Sequence, residues 1–344
     1  MALKTKWELV DFNELIEQVS YTKKIDKKDY LKSGKYPIID QSETFISGFW
    51  DNDEDVFKIK KPVVLFGDHT RIFKYVDFDF VLGADGIKIL QPIESVDPKF
   101  FYYIVSNIDL PNLGYSRHFK ELKRKKIPLP PLPVQQELVT RLDRQHAIIE
   151  QCNAMEKAIL EAGIDDSIFE GDWEWVELGE LIALRNGISI SNTLVSNRGK
   201  YPVCGSNGIY GYTDNNDKLL FGETIVVGRV GAYCGNVHYY DVPIWVTDNA
   251  IVVTVTNKDK LKTKYLYYFL LSKDLGKYAN VTGQPYISQS IISSLKVPLP
   301  PIEKQQKIVD FLNVQFETLT NIRRLKENAK QTIKMILDRE VFGE

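Results

Sequence analysis

The side chains best suited to chemistry in this sequence are hydrogen-bonding groups in turns between apolar segments. The turns GDHTRIFK, GSNGIYG, GRVGAY and GQPYISQS hold the candidates His69, Arg71, Lys74, Asn207, Arg229, Tyr233 and Gln284. Arginine can form two hydrogen bonds with guanine, and asparagine or glutamine can do so with adenine. The two arginines, Asn207 and Gln284 are therefore candidate base or phosphate readers. For each of them, a role in turn structure or simple solvent exposure is an open alternative.

A basic segment, RHFKELKRKK, lies shortly after these turns in the first half of the chain. It contains Lys120, Lys123, Arg124, Lys125 and Lys126. Such a cluster could contact phosphates and orient a domain without reading bases. The alternative is a solvated basic face, and the corresponding segment of the second half, ISSLKVPLP, is much less basic.

Motifs for catalysis are missing from the sequence. It has no N-P-P-[YF] or D-P-P-[YF] tetrapeptide for amino-methyl transfer and no G-x-x-x-x-G-K-[ST] phosphate loop. The three cysteines show no C-x-x-C spacing, and no two of the four histidines form a ligand pair at helical spacing. We therefore expect reduced thiols, no metal, no cofactor on this chain and no catalytic residue.

Composition limits the class of protein. With 344 residues, 44% hydrophobic and 26% charged, the chain is expected to be globular with two domains. It has no run of about 18 apolar residues, and MALKTKWELV lacks the core of a signal peptide, so we expect no membrane segment and a cytoplasmic location. The net charge of −2 neither indicates nor excludes a nucleic-acid partner, because phosphates respond to local patches.

An internal repeat organises almost the whole chain. WELVDFNELI from Trp7 returns as WEWVELGELI from Trp173, and IPLPPLPVQQELVTRLD from Ile127 returns as VPLPPIEKQQKIVDFLN from Val297. An offset of about 165 to 170 residues is too long for a solenoid and indicates a duplicated domain followed by a helix. We predict domains at 1–130 and 166–300, and helices at 131–165 and 301–344.

Each half begins with a predicted α+β domain and ends with a predicted long helix. KPVVLFGDHTRIFKYV, ETIVVGRVGAYCGNVHYY and NAIVVTVTN are typical of strands, whereas DPKFFYYIVSN and TKYLYYFLLSKD are helical. Alternating spacings of four and three mark a coiled-coil seam in each long helix. Its positions are Leu138, Leu142, Gln145, Ile149, Cys152, Glu156 and Ile159, then Ile308, Leu312, Gln315, Leu319, Ile322, Lys326, Ala329, Ile333 and Ile336. Gly163 is the predicted stop of the first helix.

Taken with the duplication, the motifs IPLPPLPVQQELV, VPLPPIEKQQKIV, KYPVCGSNGIYGYTDN, IVVGRVGAYCGNV and VTDNAIVV resemble the specificity subunits of type I restriction-modification enzymes. The resemblance covers essentially the full chain. It implies an α+β fold with two pseudo-twofold related target recognition domains separated by an antiparallel pair of long coiled-coil helices. Each domain would read half of a bipartite site in double-stranded DNA.

The resemblance also implies partners and site residues. The partners would be two methyltransferase subunits, which carry S-adenosylmethionine, and ATP-dependent restriction subunits. GYSRHFK and GQPYISQS lie before the two long helices in segments that approach DNA in this family. The candidates for DNA contact are His69, Arg71, Lys74, Arg117, His118, Lys120, Lys123, Asn207, Arg229, Tyr233, Gln284, Tyr286 and Gln289.

The helix pair has two possible roles. It could be a ruler matched to the helical repeat of DNA, about 34 to 36 Å, or a hairpin that only staples two domains together. We predict that Gln145 lies opposite Lys326 and Glu156 opposite Gln315, forming two polar layers that fix the register. The alternative is that these four residues lie at the wet edge of the seam.

Two other functional classes remain open on the sequence. An enzyme with one unrecognised active site per repeat would methylate or cleave DNA without added subunits. A structural adaptor would show no salt-dependent binding to DNA even with its partners present.

Overall fold

The computed structural model describes residues 7–83, 86–111, 114, 116–280 and 283–343. They form two compact units. Unit 1 combines the described residues up to Asn153 with those from Arg324 onward, and unit 2 is the continuous stretch Ala154–Arg323. None of the helices within the described ranges is both long enough and apolar enough to cross a membrane.

Unit 1 is built on short strands rich in β-branched and aromatic residues, as the sequence predicts. They are Glu8–Asp11 (β1), Ile16–Glu17 (β2), Lys24–Ile25 (β3), Tyr36–Ile39 (β4), Gly48–Trp50 (β5), Val56–Phe57 (β6), Val63–Gly67 (β7), Phe73–Val76 (β8), Phe80–Gly83 (β9), Ile87–Pro92 (β10) and Lys126–Leu129 (β11). One sheet has the order β2-β10-β7-β8 and a second the order β3-β9-β4-β5. β1 pairs with β11, so the start of the unit is tied to the segment before the first long helix.

Unit 2 repeats this arrangement. Its strands are Trp175–Glu177 (β12), Ile182–Asn186 (β13), Tyr201–Gly205 (β14), Gly208–Thr213 (β15), Thr224–Gly228 (β16), Val237–Tyr240 (β17), Trp245–Val246 (β18), Ala250–Val255 (β19) and Lys296–Pro298 (β20). The order β13-β19-β16-β17 corresponds strand for strand to β2-β10-β7-β8, and β12 pairs with β20 as β1 does with β11. The duplication seen in the sequence is therefore a duplication of the main-sheet topology, whereas the second sheet of unit 2 differs and has the order β15-β14-β18.

A short helix packs on the main sheet of each unit, α1 (Pro98–Ser106) in unit 1 and α4 (Thr263–Ser272) in unit 2. The Asp97 side chain caps α1 by accepting hydrogen bonds from the backbone N–H groups of Lys99 and Phe100, both at 2.9 Å. Phe100 and Ile104 are buried in the same core as Val64 and Phe66 of β7. The remaining short α-helices of the described chain are α2 (Phe119–Leu122) and α5 (Gln289–Ser293).

The two long helices are α3 (Leu132–Ala162) and α6 (Ile302–Leu337), and a π-helical turn, Asp338–Phe342, continues α6. Every predicted seam position is buried or half-buried, which confirms the heptad pattern. Within unit 1, Leu138 and Leu142 share a core with Ile333 and Ile336. Gly163 adopts a left-handed conformation (φ +60°) directly after α3 and ends it, as predicted.

The predicted register of the helix pair is wrong. Within unit 1, Lys326 Nζ donates to Asn153 Oδ1 at 3.2 Å, and Asn153 lies eight residues, or about 12 Å of helix, beyond Gln145. Within unit 2, Gln315 Nε2 contacts the carbonyl oxygen of Gly163 at 3.5 Å, seven residues beyond its predicted partner Glu156. Glu156 Oε1 instead accepts from Arg323 Nε at 2.8 Å.

The error has a physical cause. The heptad seam looks the same after the helices slide past each other by seven residues, so apolar pattern alone does not select between the two registers. The predicted register was selected because it places Gln145 opposite Lys326 and Glu156 opposite Gln315. In the structure the long side chains of Lys326 and Glu156 bond instead to Asn153 and Arg323, which lie outside the seam positions.

Candidate nucleic-acid interface

A three-way backbone junction lies at the end of β16 in unit 2. The N–H of Arg229 donates to the carbonyl of Asn249 at 2.9 Å, and its own carbonyl accepts from Ile287 N–H at 2.8 Å. A third bond runs from Gly231 N–H to Pro285 O at 2.9 Å. These bonds join the turn after β16, the turn before β19 and the segment around Gln284, so sequence-predicted residues from distant segments come together.

Gly228 makes this junction possible. A Cβ built on Gly228 would lie 2.3 Å from the Tyr233 carbonyl oxygen and 3.0 Å from that of Ser206, so only glycine allows these backbones to approach. The Ser206 hydroxyl in turn donates to the carbonyl of Asn249 at 2.5 Å. Asn207, which follows Ser206 and is exposed, is thereby held beside the same junction.

Arg229 is anchored at only one of its guanidinium nitrogens. Its Nε donates to the carbonyl of Asp248 at 2.9 Å. Within the described part of the chain the two terminal nitrogens make no hydrogen bond, and the side chain is half-buried. A guanidinium fixed at its base, with two parallel donors open, suits bidentate binding to guanine or to a phosphate.

Exposed polar and aromatic side chains lie on the segments that the junction joins. Tyr233 and Tyr286 are both exposed, and a Cβ on Gly231 would lie 3.5 Å from Gln284 Nε2. Gln289, at the start of α5, donates to Asn186 Oδ1 at 3.0 Å.

Sequence reasoning missed Tyr210 and Asp248 in this group. Tyr210 is more than half exposed at 54%, and its pKa is raised first by desolvation and then by the nearby charge of Asp248. The turn GSNGIYG pointed to the right loop, but nothing in the order of residues showed that Tyr210 would lie close to Asp248.

Unit 1 repeats two bonds of this junction around a different side chain. β7 ends at Gly67, and Asp68 occupies the place of Arg229: its N–H donates to Gly86 O at 2.6 Å and its carbonyl accepts from His118 N–H at 2.9 Å. The Asp68 carboxylate is buried and accepts from Phe119 N–H at 2.8 Å. The equivalent position therefore holds a buried carboxylate that stabilises the backbone in unit 1 and a half-exposed cation in unit 2.

Two predicted DNA contacts, His118 and Lys74, are wrong because both side chains are buried. The His118 ring lies in the core with Nδ1 3.0 Å from the carbonyl oxygen of Asp68. Lys74 Nζ donates to the carbonyls of Asp40 at 2.8 Å and Thr44 at 2.6 Å. Lys74 thus supports the loop that follows β4, and neither side chain can touch a nucleic acid.

The other candidates of unit 1 lie on or near the surface. Arg71 has a left-handed backbone (φ +63°), and its Nη1 donates to the carbonyl of Leu110 at 3.2 Å, which ties down part of the guanidinium. His69 is half-buried beside it. Arg117, Lys120 and Lys123 are exposed around the short helix α2, where they are suited to phosphates.

Possible metal ligands are scattered in the part of the chain that the structure describes. Within the described ranges, no three histidine, cysteine, aspartate or glutamate side chains lie close enough to hold a metal ion. All three cysteines are buried, and desolvation raises the pKa of Cys204 to about 11, which disfavours a reactive thiolate.

Comparison with protein families gives two matches along the chain. Residues 4–162 and residues 170–333 each match the type I restriction modification DNA specificity domain. The specificity subunit of the type I restriction enzyme EcoR124I/EcoR124II from Escherichia coli is 26% identical over 355 residues, covering 91% of this chain and 87% of that protein. The MjaVIII specificity subunit from Methanocaldococcus jannaschii is 21% identical, covering 95% and 89%.

Solved structures show the same fold. The S subunit of a type I restriction-modification system from M. genitalium superposes with a TM-score of 0.67 at 16% identity, covering 99% of both chains. A chain from a structure titled for complex assembly and conformational transition of the type I R-M system gives a TM-score of 0.51, also at 16% identity, covering 99% of this chain and 98% of that one.

Proposed function

Because this chain belongs to the type I restriction-modification DNA specificity family, we propose that it reads a bipartite, non-palindromic site in double-stranded DNA and directs partner subunits to it. Those partners are two methyltransferase subunits and the restriction subunits. The helices α3 and α6 set the spacer between the half-sites. At 31 residues, α3 is roughly 46 Å long, enough to exceed one turn of DNA.

The observation that supports this proposal best is the repeated junction with unlike side chains. Gly67 and Gly228 end equivalent strands, and the next residue makes the same backbone bonds in both units. That residue is a buried aspartate in unit 1 and a half-exposed arginine in unit 2. Two scaffolds that are alike in backbone and different in surface hydrogen bonding would read two different half-sites.

We assign no reaction to this chain. The sequence has neither a methyl-transfer tetrapeptide nor a phosphate loop, and S-adenosylmethionine and ATP are expected on the partner subunits. The long helices also offer a surface for partners. In unit 2, Met155 and Leu160 of α3 and Phe311 and Val314 of α6 are all more than half exposed, an unusual density of apolar groups for a solvated helix face.

The proposal is tested by assembling the chain with its methyltransferase subunits and mapping methylated adenines in genomic DNA. We expect a split motif whose two halves differ. A motif with identical inverted halves contradicts the reading of two half-sites by unlike units. Methylation or cleavage by the purified chain alone would identify an enzyme, and no salt-dependent DNA binding by the complex would identify an adaptor.

A further inference from the structure

The repeated PLPP…QQ motif places one fully buried glutamine in each unit, and each makes the same three hydrogen bonds. Gln135 Oε1 accepts from Asp97 N–H at 2.8 Å, and its Nε2 donates to Ser95 O at 3.0 Å and Pro130 O at 2.8 Å. In unit 2, Gln305 accepts from Lys262 N–H at 2.9 Å and donates to Lys260 O at 2.7 Å and Pro300 O at 2.9 Å.

These bonds connect the segment before the short helix of each unit, α1 or α4, to the first turn of the long helix of that unit, α3 or α6. Asp97 and Lys262 immediately precede α1 and α4, which pack on the main sheet of their domain. Gln135 and Gln305 lie in the first turn of the long helices. Each glutamine therefore fastens the helix of a recognition domain to the beginning of the long helix below it.

A second contact lies two turns further along in each unit. The Tyr103 hydroxyl donates to Asp143 in unit 1, and the Tyr268 hydroxyl donates to Asn313 Oδ1 at 2.8 Å in unit 2. The positions 135 and 143, like 305 and 313, are about 12 Å apart along the helix. One point of attachment permits a pivot, whereas two separated points fix an angle.

Only a carboxamide satisfies this site. The buried glutamine must accept from one N–H and donate to two carbonyls, which glutamate, methionine and leucine do not do. The second glutamine of each pair has no such role: Gln136 is exposed, and Gln306 donates to Asp310 on its own helix at 2.8 Å. The chain thus supplies a matched control beside each residue.

We propose that Gln135 and Gln305 are positioning residues that hold each recognition domain at a fixed angle to its long helix, and so enforce the spacer between half-sites. A domain of about 100 residues has a radius of gyration near 13 Å, which places its far surface about 25 to 30 Å from such a hinge. A tilt of about 7° then moves a reading loop by about 3.4 Å, one base-pair step. The inference rests on the proposed function.

The test measures spacer discrimination by the complex with methyltransferase subunits. Methylation rates are compared on duplexes that carry the mapped site with its natural spacer and with one base pair added or removed. For Gln135→Met or Gln305→Met we expect the preference for the natural spacer to fall at least tenfold, with base preferences inside the half-sites unchanged. Gln136→Met and Gln306→Met should leave both quantities unchanged.

Three outcomes overturn the inference: an equal loss of rate on all three spacers, a wild-type complex that does not discriminate between them, or control variants that relax the spacer as much. If the methionine variants do not assemble, Tyr268→Phe deletes only the hydroxyl at the second contact and should relax the preference by a smaller factor. An unchanged preference in Tyr268→Phe then counts against the inference. A wild-type complex that methylates no bipartite site contradicts the proposed function itself.

Discussion

Arg229 differs from the other predicted readers in how it is held. One guanidinium nitrogen of Arg71 donates to the carbonyl of Leu110, and Lys74 Nζ donates to the carbonyls of Asp40 and Thr44. Among the described residues, Arg229 is held only through Nε, at 2.9 Å from the carbonyl oxygen of Asp248. Its terminal nitrogens are therefore preorganised and make no hydrogen bond within those ranges, which is the state expected of a residue that binds a ligand through them.

We expect Arg229→Ala to weaken binding to the cognate site by about 1 to 3 kcal/mol, with little change on random DNA, because a bidentate contact to a base is lost. Arg198→Ala, at an exposed loop position of unit 2, is the matched control. Competition binding with cognate and random duplexes checks this. Equal losses on both duplexes would identify a phosphate contact, and no loss would remove Arg229 from the interface.

We expect His146 to make the stability of the protein depend on pH. His146 stacks on Tyr103 with ring centroids 4.9 Å apart. Desolvation by burial lowers the pKa of His146 from 6.5, and the positive charge of Lys99 lowers it further, whereas the negative charges of Asp143 and Glu150 raise it. A histidine that is harder to protonate when folded contributes stability above its ordinary pKa, and this contribution is lost as pH falls below about 6.5.

In unit 2 the equivalent partner of Tyr268 is Phe316, with centroids 5.3 Å apart. His146→Phe should therefore reduce the fall in melting temperature between about pH 7.5 and pH 5. Phe316→His should enlarge that fall, and thermal unfolding at both pH values measures each. Unchanged slopes in both variants would show that His146 does not contribute to the pH dependence.

For the long helices, the seam and the end of α3 could be predicted from the sequence, whereas the register between the helices could not. The seam and the stop at Gly163 follow from local rules of periodicity and capping, and both are confirmed. Register depends on contacts between segments that are distant in sequence, and a heptad pattern repeats itself after seven residues. The burial of His118 was missed for a related reason. Its neighbours in sequence give no sign that the ring will be buried against the carbonyl of the distant residue Asp68.

The observed register predicts a coupling between Glu156 and Arg323. Their ion pair is 2.8 Å long, with the glutamate side chain mostly buried, so a double-mutant cycle to alanine should give about 0.2 to 1 kcal/mol of interaction energy. Lys157 and Glu161, which are 3.7 Å apart on one helix, serve as a pair that is independent of register. Denaturant unfolding provides the energies, and zero coupling for the first pair would reject this register.

At the scale of the whole molecule, the helices are proposed to measure DNA. Inserting one heptad into both α3 and α6 preserves the seam and adds about 10.5 Å, close to three base-pair steps. We expect the methylated spacer to lengthen by about three base pairs while both half-sites stay the same. A heptad in only one helix should impair assembly, because it breaks the pairing. An unchanged spacer after the double insertion would mean that the helices are a staple and not a ruler.

The two units also differ in their continuity along the sequence. Unit 2 is one continuous stretch, whereas unit 1 needs residues from both sides of it, including Ile333, Ile336 and Val341 in its core. During synthesis the ribosome releases those residues only after all of unit 2. Most of unit 1 is translated first, but its core is incomplete until these residues appear. Unit 2 can therefore complete its core while apolar surface of unit 1 is still uncovered. In a nascent chain halted before Arg324, unit 2 would have all of its residues, whereas the core of unit 1 would lack Ile333, Ile336 and Val341.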